Sequence, residues 1–123
     1  MFVHFPIAFY FLELLLLLFW AWKSDGGCLR FAAISFWAGY FFMLASLISG
    51  YAGADGWEHI AGATRKHFFM ALLTLVFYSV RALYWRFAVV DSSKFRMTQL
   101  AGAMVGNILV AYTAYLGGML VYS

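Results

Sequence analysis

Three histidines and one glutamate are the residues of this chain whose types and positions could do chemistry. His4 sits in the run Val3-His4-Phe5-Pro6-Ile7-Ala8, immediately before an almost unbroken apolar stretch that ends at Trp22. His67 heads a second apolar stretch ending near Trp85, and His59 lies in the polar segment just before it. Neutral imidazole nitrogen is a ligand for haem iron. Two imidazoles at one depth on parallel helices can hold a planar macrocycle between them, one on each axial face. Such a pair leaves no open coordination position, which suits electron transfer over oxygen chemistry. Zinc is the weaker metal alternative, because His4, His59 and His67 would have to gather with Asp55 or Glu58 and no His-x-x-x-His pair prearranges them. A lone histidine at such a position also serves simply as an interfacial anchor.

The elements that must position these residues follow from composition. Of 123 residues, 66% are hydrophobic, 22% aromatic and 11% charged. A soluble domain of this size has too little polar surface to cover so much apolar area, so the expected solvent is a lipid bilayer. The net charge of +3 comes from basic residues at segment ends and forms no stripe for nucleic acid. Cys28 is the single cysteine, so an internal disulfide and a Cys-x-x-Cys-His haem attachment are both excluded. The first segment lacks a basic n-region and a small-x-small site before Lys23, which reads as a retained helix.

Four spans are expected, at about 5–22, 31–49, 67–85 and 97–122, each of them about 18 residues or more and so long enough to cross the hydrocarbon core. They make residues 1–123 one all-α, integral membrane, antiparallel four-helix bundle. Pro6 is tolerated in a first turn, and Trp20 and Trp22 anchor the far end of the first span. Gly50 to Gly56 is expected to break the second helix, with Trp57–Lys66 a polar connector and Arg86–Arg96 a turn. Gly102-x-x-x-Gly106 points to a close helix contact. Lys23, Arg30, Arg81, Arg86, Lys94 and Arg96 flank one side of the membrane and only Arg65 and Lys66 the other. The positive-inside rule then sets both termini outside the cytoplasm of a bacterial inner membrane. Arg81 is expected to snorkel to the headgroups.

This arrangement puts all three histidines at the outer side. His4 and His67 are the expected axial ligands of one non-covalent haem b, with His59 as the alternative ligand. Phe5, Phe68, Phe69, Tyr115 and the Gly117-Gly118 pair supply apolar walls and space, and Arg65 and Lys66 lie level with the propionates. Glu13 is the anomaly, an ionisable group inside a span. At about 100° per residue it stands roughly 180° around the helix from His4. Its expected fates are a neutral acid, a bond to hydroxyls of the second helix, or a contact with another subunit. Asn107 is expected to bridge helices.

The ends of the chain carry a resemblance. His4-Phe5-Pro6-Ile7-Ala8 resembles the HFPIA opening of a widespread bacterial family of predicted membrane proteins, domain of unknown function 2231. Leu116-Gly117-Gly118-Met119-Leu120-Val121-Tyr122 is similar to that family's GG-x-LVY close. Ser49-Gly50, Glu58 and His67 resemble its middle features, and His59 matches no motif of the family. Members usually continue with a short glycine-bearing tail beyond the point where this sequence stops. Some members are fused to c-type cytochrome domains or accompany them, so the resemblance implies a redox role at the outer face.

Together these readings favour a membrane electron-transfer subunit rather than an independent enzyme. It would exchange electrons with a periplasmic c-type cytochrome or a larger complex, with other membrane subunits and quinone as further partners. The alternative is a cofactor-free structural or assembly subunit. A transporter ranks last, because the spans hold too few polar residues for a hydrated path and show no broken helix.

Overall fold

A computed structural model describes residues 4–23, 26–53, 61–88 and 93–122. They form four helices: α1 His4–Lys23, α2 Gly26–Gly53, α3 Gly62–Phe87 and α4 Ser93–Tyr122. All four are long and apolar enough to cross a membrane.

The helices bury faces whose residues recur mostly at steps of three and four, the spacing that keeps one face toward a neighbour. In α1 the stripe is Pro6, Tyr10, Glu13, Leu17 and Trp20. In α2 it is Ala32, Ser35, Phe36, Gly39 and Met43. Large apolar side chains off the stripes, such as Phe41, Ile48, Val76 and Ile108, stand on the outer surface, where hydrocarbon is their solvent.

Neighbouring helices run antiparallel. Phe5 stacks on Phe42 at 4.8 Å between α1 and α2. At the other end of that pair Leu17 and Trp20 pack with Ala32 and Cys28. Gly39 lets the Tyr10 ring lie directly on the α2 backbone, since an added Cβ would come within 2.9 Å of it. Asn107 Nδ2 donates to the Tyr10 carbonyl at 3.2 Å, so it does bridge α4 to α1. Tyr40 and Ser79 share a 2.8 Å hydroxyl hydrogen bond between α2 and α3, the pair of neighbours that touches least. The centre of the bundle is aromatic, with Tyr10 stacked on Tyr78 at 3.8 Å and Phe36 beside both.

Four boundaries differ from the sequence reading by more than two residues. α2 starts at Gly26, ahead of the expected Phe31. α2 passes through Gly50 and continues to Gly53. Within a bilayer an unwound turn leaves amides and carbonyls without water, so glycine alone does not end a helix there. α3 starts at Gly62, whose φ of +58° is a left-handed conformation that glycine adopts cheaply, after an extended Ala61. Thr64, Arg65 and Lys66 are therefore its opening turn rather than a connector. α4 likewise begins at Ser93, ahead of the expected Met97.

Candidate functional site

His67 lies on the buried stripe of α3, which reads His67, Ala71, Thr74, Tyr78, Arg81 and Trp85 at steps of four and three. Its side chain enters a cavity of about 160 Å³ at the end of the bundle where α1 and α3 begin. Ser46 and Gly50 of α2, Phe68 and Thr74 of α3, and Pro6 of α1 are among the lining residues. All four helices contribute to the lining, with Val110, Thr113 and Ala114 from α4. His67 Nδ1 lies 3.0 Å from the Thr113 carbonyl oxygen. A carbonyl only accepts, so Nδ1 carries the hydrogen and Nε2 of the neutral ring is left with its lone pair as an acceptor or ligand. Gly117 makes this seating possible, because a Cβ there would stand 2.9 Å from His67 Cε1. Thr74 and Thr113 hydroxyls, 3.1 Å apart, close the floor of the cavity.

The other residues expected around a haem divide. Phe68 lines the cavity, and Gly117 cradles the imidazole. His4 is exposed at the first residue of α1 and does not line it. It stands one turn before Ile7, which does, so His4 lies at the cavity's end of the bundle but on the side of α1 turned away from the core stripe. Phe5 is turned to Phe42 instead. Tyr115 and Phe69 are 62% and 53% exposed and form outer surface. Gly118 has open space where a side chain would go. Arg65 and Lys66 are exposed in the opening turn of α3, at the cavity end. His59, Asp55 and Glu58 lie outside the described residues. Among the described residues no three of His, Cys, Asp and Glu come together.

The chain matches no family model, no curated protein and no solved structure. What it does must be read from its own side chains.

The second polar centre was only half visible in the sequence. Glu13 is fully buried and forms an ion pair with Arg81, whose terminal nitrogens donate to Glu13 Oε1 at 2.6 Å and Oε2 at 3.2 Å. The same Arg81 nitrogen that serves Oε1 also donates to Gln99 Oε1 at 2.9 Å. The Phe36 ring lies 5.0 Å from the guanidinium centre, adding a cation–π face. Two expectations are corrected here. Glu13 does not face another subunit or bond hydroxyls of α2, because it occupies the core stripe of α1. Arg81 does not snorkel, because its stripe points inward and a carboxylate waits there.

Sequence did place Glu13 and His4 on opposite sides of α1, and the structure keeps that separation; what it reverses is which of the two faces the core. Glycines of α4 accommodate the centre. A Cβ at Gly102 would stand 2.9 Å from Arg81 Nε, and one at Gly106 would run into the Tyr78 hydroxyl. The GxxxG step thus receives an arginine and a tyrosine rather than a bare helix backbone. The signal that could have found the pair was the three-and-four spacing, which puts Glu13, Arg81 and Gln99 all on core stripes.

Proposed function

We propose that this chain is a membrane electron-transfer subunit that holds one haem b at the His67 end of the bundle. The observation that carries the reading is the seating of His67, an imidazole inside an apolar cavity with Nδ1 fixed by the Thr113 carbonyl and Nε2 left to bind. Metal-bound histidines are oriented in this way by a hydrogen bond from their other nitrogen. His4, at the same end of the bundle, would be the second axial ligand, and Arg65 and Lys66 would meet the propionates. Haem b, when bound, supplies one-electron redox chemistry. The protein's part would be to hold the group by the His67 and His4 imidazoles and to keep water from it.

The residues fit such a group in ligand type and in apolar lining. Drug-sized and cofactor pockets run to roughly 300–1,000 Å³, so the closed cavity admits only part of it. The weakly joined ends of α2 and α3 are where further room would open. Five exposed or half-exposed basic residues, Lys23, Arg30, Arg86, Lys94 and Arg96, flank the opposite end, against Arg65 and Lys66 at this one. That balance supports an outer, periplasmic position for the cavity in a bacterial inner membrane, within reach of a c-type cytochrome or a larger redox complex. The likeness of both chain ends to the 2231 family, with its cytochrome-associated members, supports the same reading.

The deciding experiment is a dithionite-reduced minus oxidised spectrum of the detergent-purified protein, with a pyridine haemochrome assay. A b-type signal near one haem per chain is expected, lost in His67→Ala and lost or converted to a high-spin form in His4→Ala. Haem retained unchanged in both variants, or absent from the wild type, sinks the proposal. Absence would favour the second reading, a cofactor-free subunit of a larger complex.

A further inference from the structure

The charges of this chain are unevenly placed along the bundle. In the core Arg81 and Glu13 offset each other. At the His67 end Arg65 and Lys66 are matched in number by Asp55 and Glu58 of the connecting sequence. At the opposite end Lys23, Arg30, Arg86, Lys94 and Arg96 have only Asp25 and Asp91 beside them in sequence. The whole net charge of +3 therefore belongs to that end.

Two of its cations lie at the end of the α1–α4 seam, each held on a tryptophan. Trp20 belongs to the buried stripe of α1, and the Arg96 guanidinium of α4 lies 5.0 Å from the centre of its ring. The Trp20 ring is itself fixed, edge-on to Phe95 at 6.1 Å. Lys23 follows Trp20 by three residues, one turn further along the same face of α1. Its ammonium lies 4.9 Å from the Trp22 ring. Trp22 is 75% exposed, so this side of the seam borders lipid.

That depth selects the partner. Cations that close membrane spans beside tryptophan stand at headgroup level, where phosphates are the abundant acceptors. A guanidinium offers paired N–H donors to a phosphate, and an ammonium adds a point charge. With five such donors, Arg96 can serve a phosphate together with other partners. A zwitterionic headgroup brings its own cation to an end that is already positive, whereas an anionic one offsets the excess. We propose that the α1–α4 seam at the basic end binds an anionic phospholipid, its headgroup phosphate held by Lys23 and Arg96 beside Trp20 and Trp22. Lipid binding there is independent of haem at the other end.

The test is native mass spectrometry of the full chain in detergent, titrated with phosphatidylglycerol and phosphatidylcholine of identical acyl chains. Phosphatidylglycerol should give one saturable adduct, bound about tenfold more tightly than phosphatidylcholine. Lys23→Gln/Arg96→Gln should weaken it about thirtyfold and erase the headgroup preference. Arg30→Gln/Lys94→Gln removes the same charge from elsewhere on the rim and should cost less than about threefold. Equal losses in the two double variants would show a diffuse field instead of a site and would overturn the proposal. So would equal binding of the two lipids by the wild type. Displacement by inorganic phosphate at the lipid's own concentration would also overturn it, because the ligand would then be a free anion. Lys23→Gln alone changes one exposed side chain and should show about a fivefold loss if the double variant proves unstable.

Discussion

Glu13 and Arg81 hold opposite charges in a medium that punishes either one alone, so their value is best seen by removing them separately. Glu13→Gln leaves the guanidinium with neutral acceptors only, and Arg81→Leu leaves the Glu13 carboxylate without its guanidinium donor. Each should cost about 3–5 kcal/mol, the usual penalty for orphaning one member of a buried pair. The double variant Glu13→Leu/Arg81→Leu removes both charges and should recover most of that loss, although Gln99 loses its Arg81 donor. Thermal unfolding in detergent, arranged as a double-mutant cycle, measures this, and additive losses would show that the two do not act as a pair. The contact joins positions 13 and 81, on helices that are not consecutive. Sequence showed Glu13 at depth but set Arg81 at the end of its span, and although the periodicity of each stripe was legible, the rotation of one helix against another was not. That rotation depends on which bulky residues meet across the bundle, here Tyr10 against Tyr78 and Gly39. His67 poses a residue-scale question as well. Gly117→Ala puts a methyl group against its ring and should break the Nδ1 bond to Thr113, shifting or abolishing a haem spectrum. Gly118→Ala, with open space beside it, should leave the spectrum alone.

At the scale of elements, α3 and α4 are joined by a polar ladder while α1 and α2 are joined by rings and a glycine. From the cavity downward α3 offers His67, Thr74, Tyr78 and Arg81, and α4 answers with Thr113, Gly106, Gly102 and Gln99. A helix pair in lipid gains nothing from hydrophobic exclusion, so close packing and such hydrogen bonds hold it. Gly106→Val should therefore be among the most damaging small changes in α4, because the Tyr78 hydroxyl occupies the place of the new side chain. Overpacking of this kind costs about 1–3 kcal/mol. Thermal unfolding should show the loss, and Tyr78→Phe in the same chain should restore part of it by removing the blocking oxygen. A wild-type melting temperature in Gly106→Val would mean that α4 is free to shift. Helix count and identity were plain from the apolar runs, whereas helix ends were misplaced at Gly50 and at residues 62–66. Glycine and charge signal a break when water is the solvent; at a membrane boundary the backbone keeps its own hydrogen bonds and the helix runs on.

For the whole molecule, the two ends of the bundle are chemically distinct. One end has the His67 cavity, the exposed His4 and the pair Arg65 and Lys66. The other has Trp20, Trp22 and Trp85 with five basic residues on its rim. Removing Arg81 from that rim, since it belongs to the core, changes the balance from six against two to five against two, and the bias keeps its sign. If the basic end lies in the cytoplasm, anything docking at His67 does so from outside the cell membrane, where periplasmic electron carriers are found. Single cysteines placed at Gly53 and Arg65 in a Cys28→Ser background should react with a membrane-impermeant maleimide in intact spheroplasts. Cysteines at Lys23 and Lys94 should react only after the membrane is permeabilised. The reverse pattern would put His67 on the cytoplasmic side and exclude a periplasmic cytochrome as its direct partner, while leaving the ion pair and the glycine step as they are. Labelling at both ends in intact spheroplasts would mean that the chain inserts in two orientations. In that case each end would face both compartments, and the docking partner could not be assigned from topology.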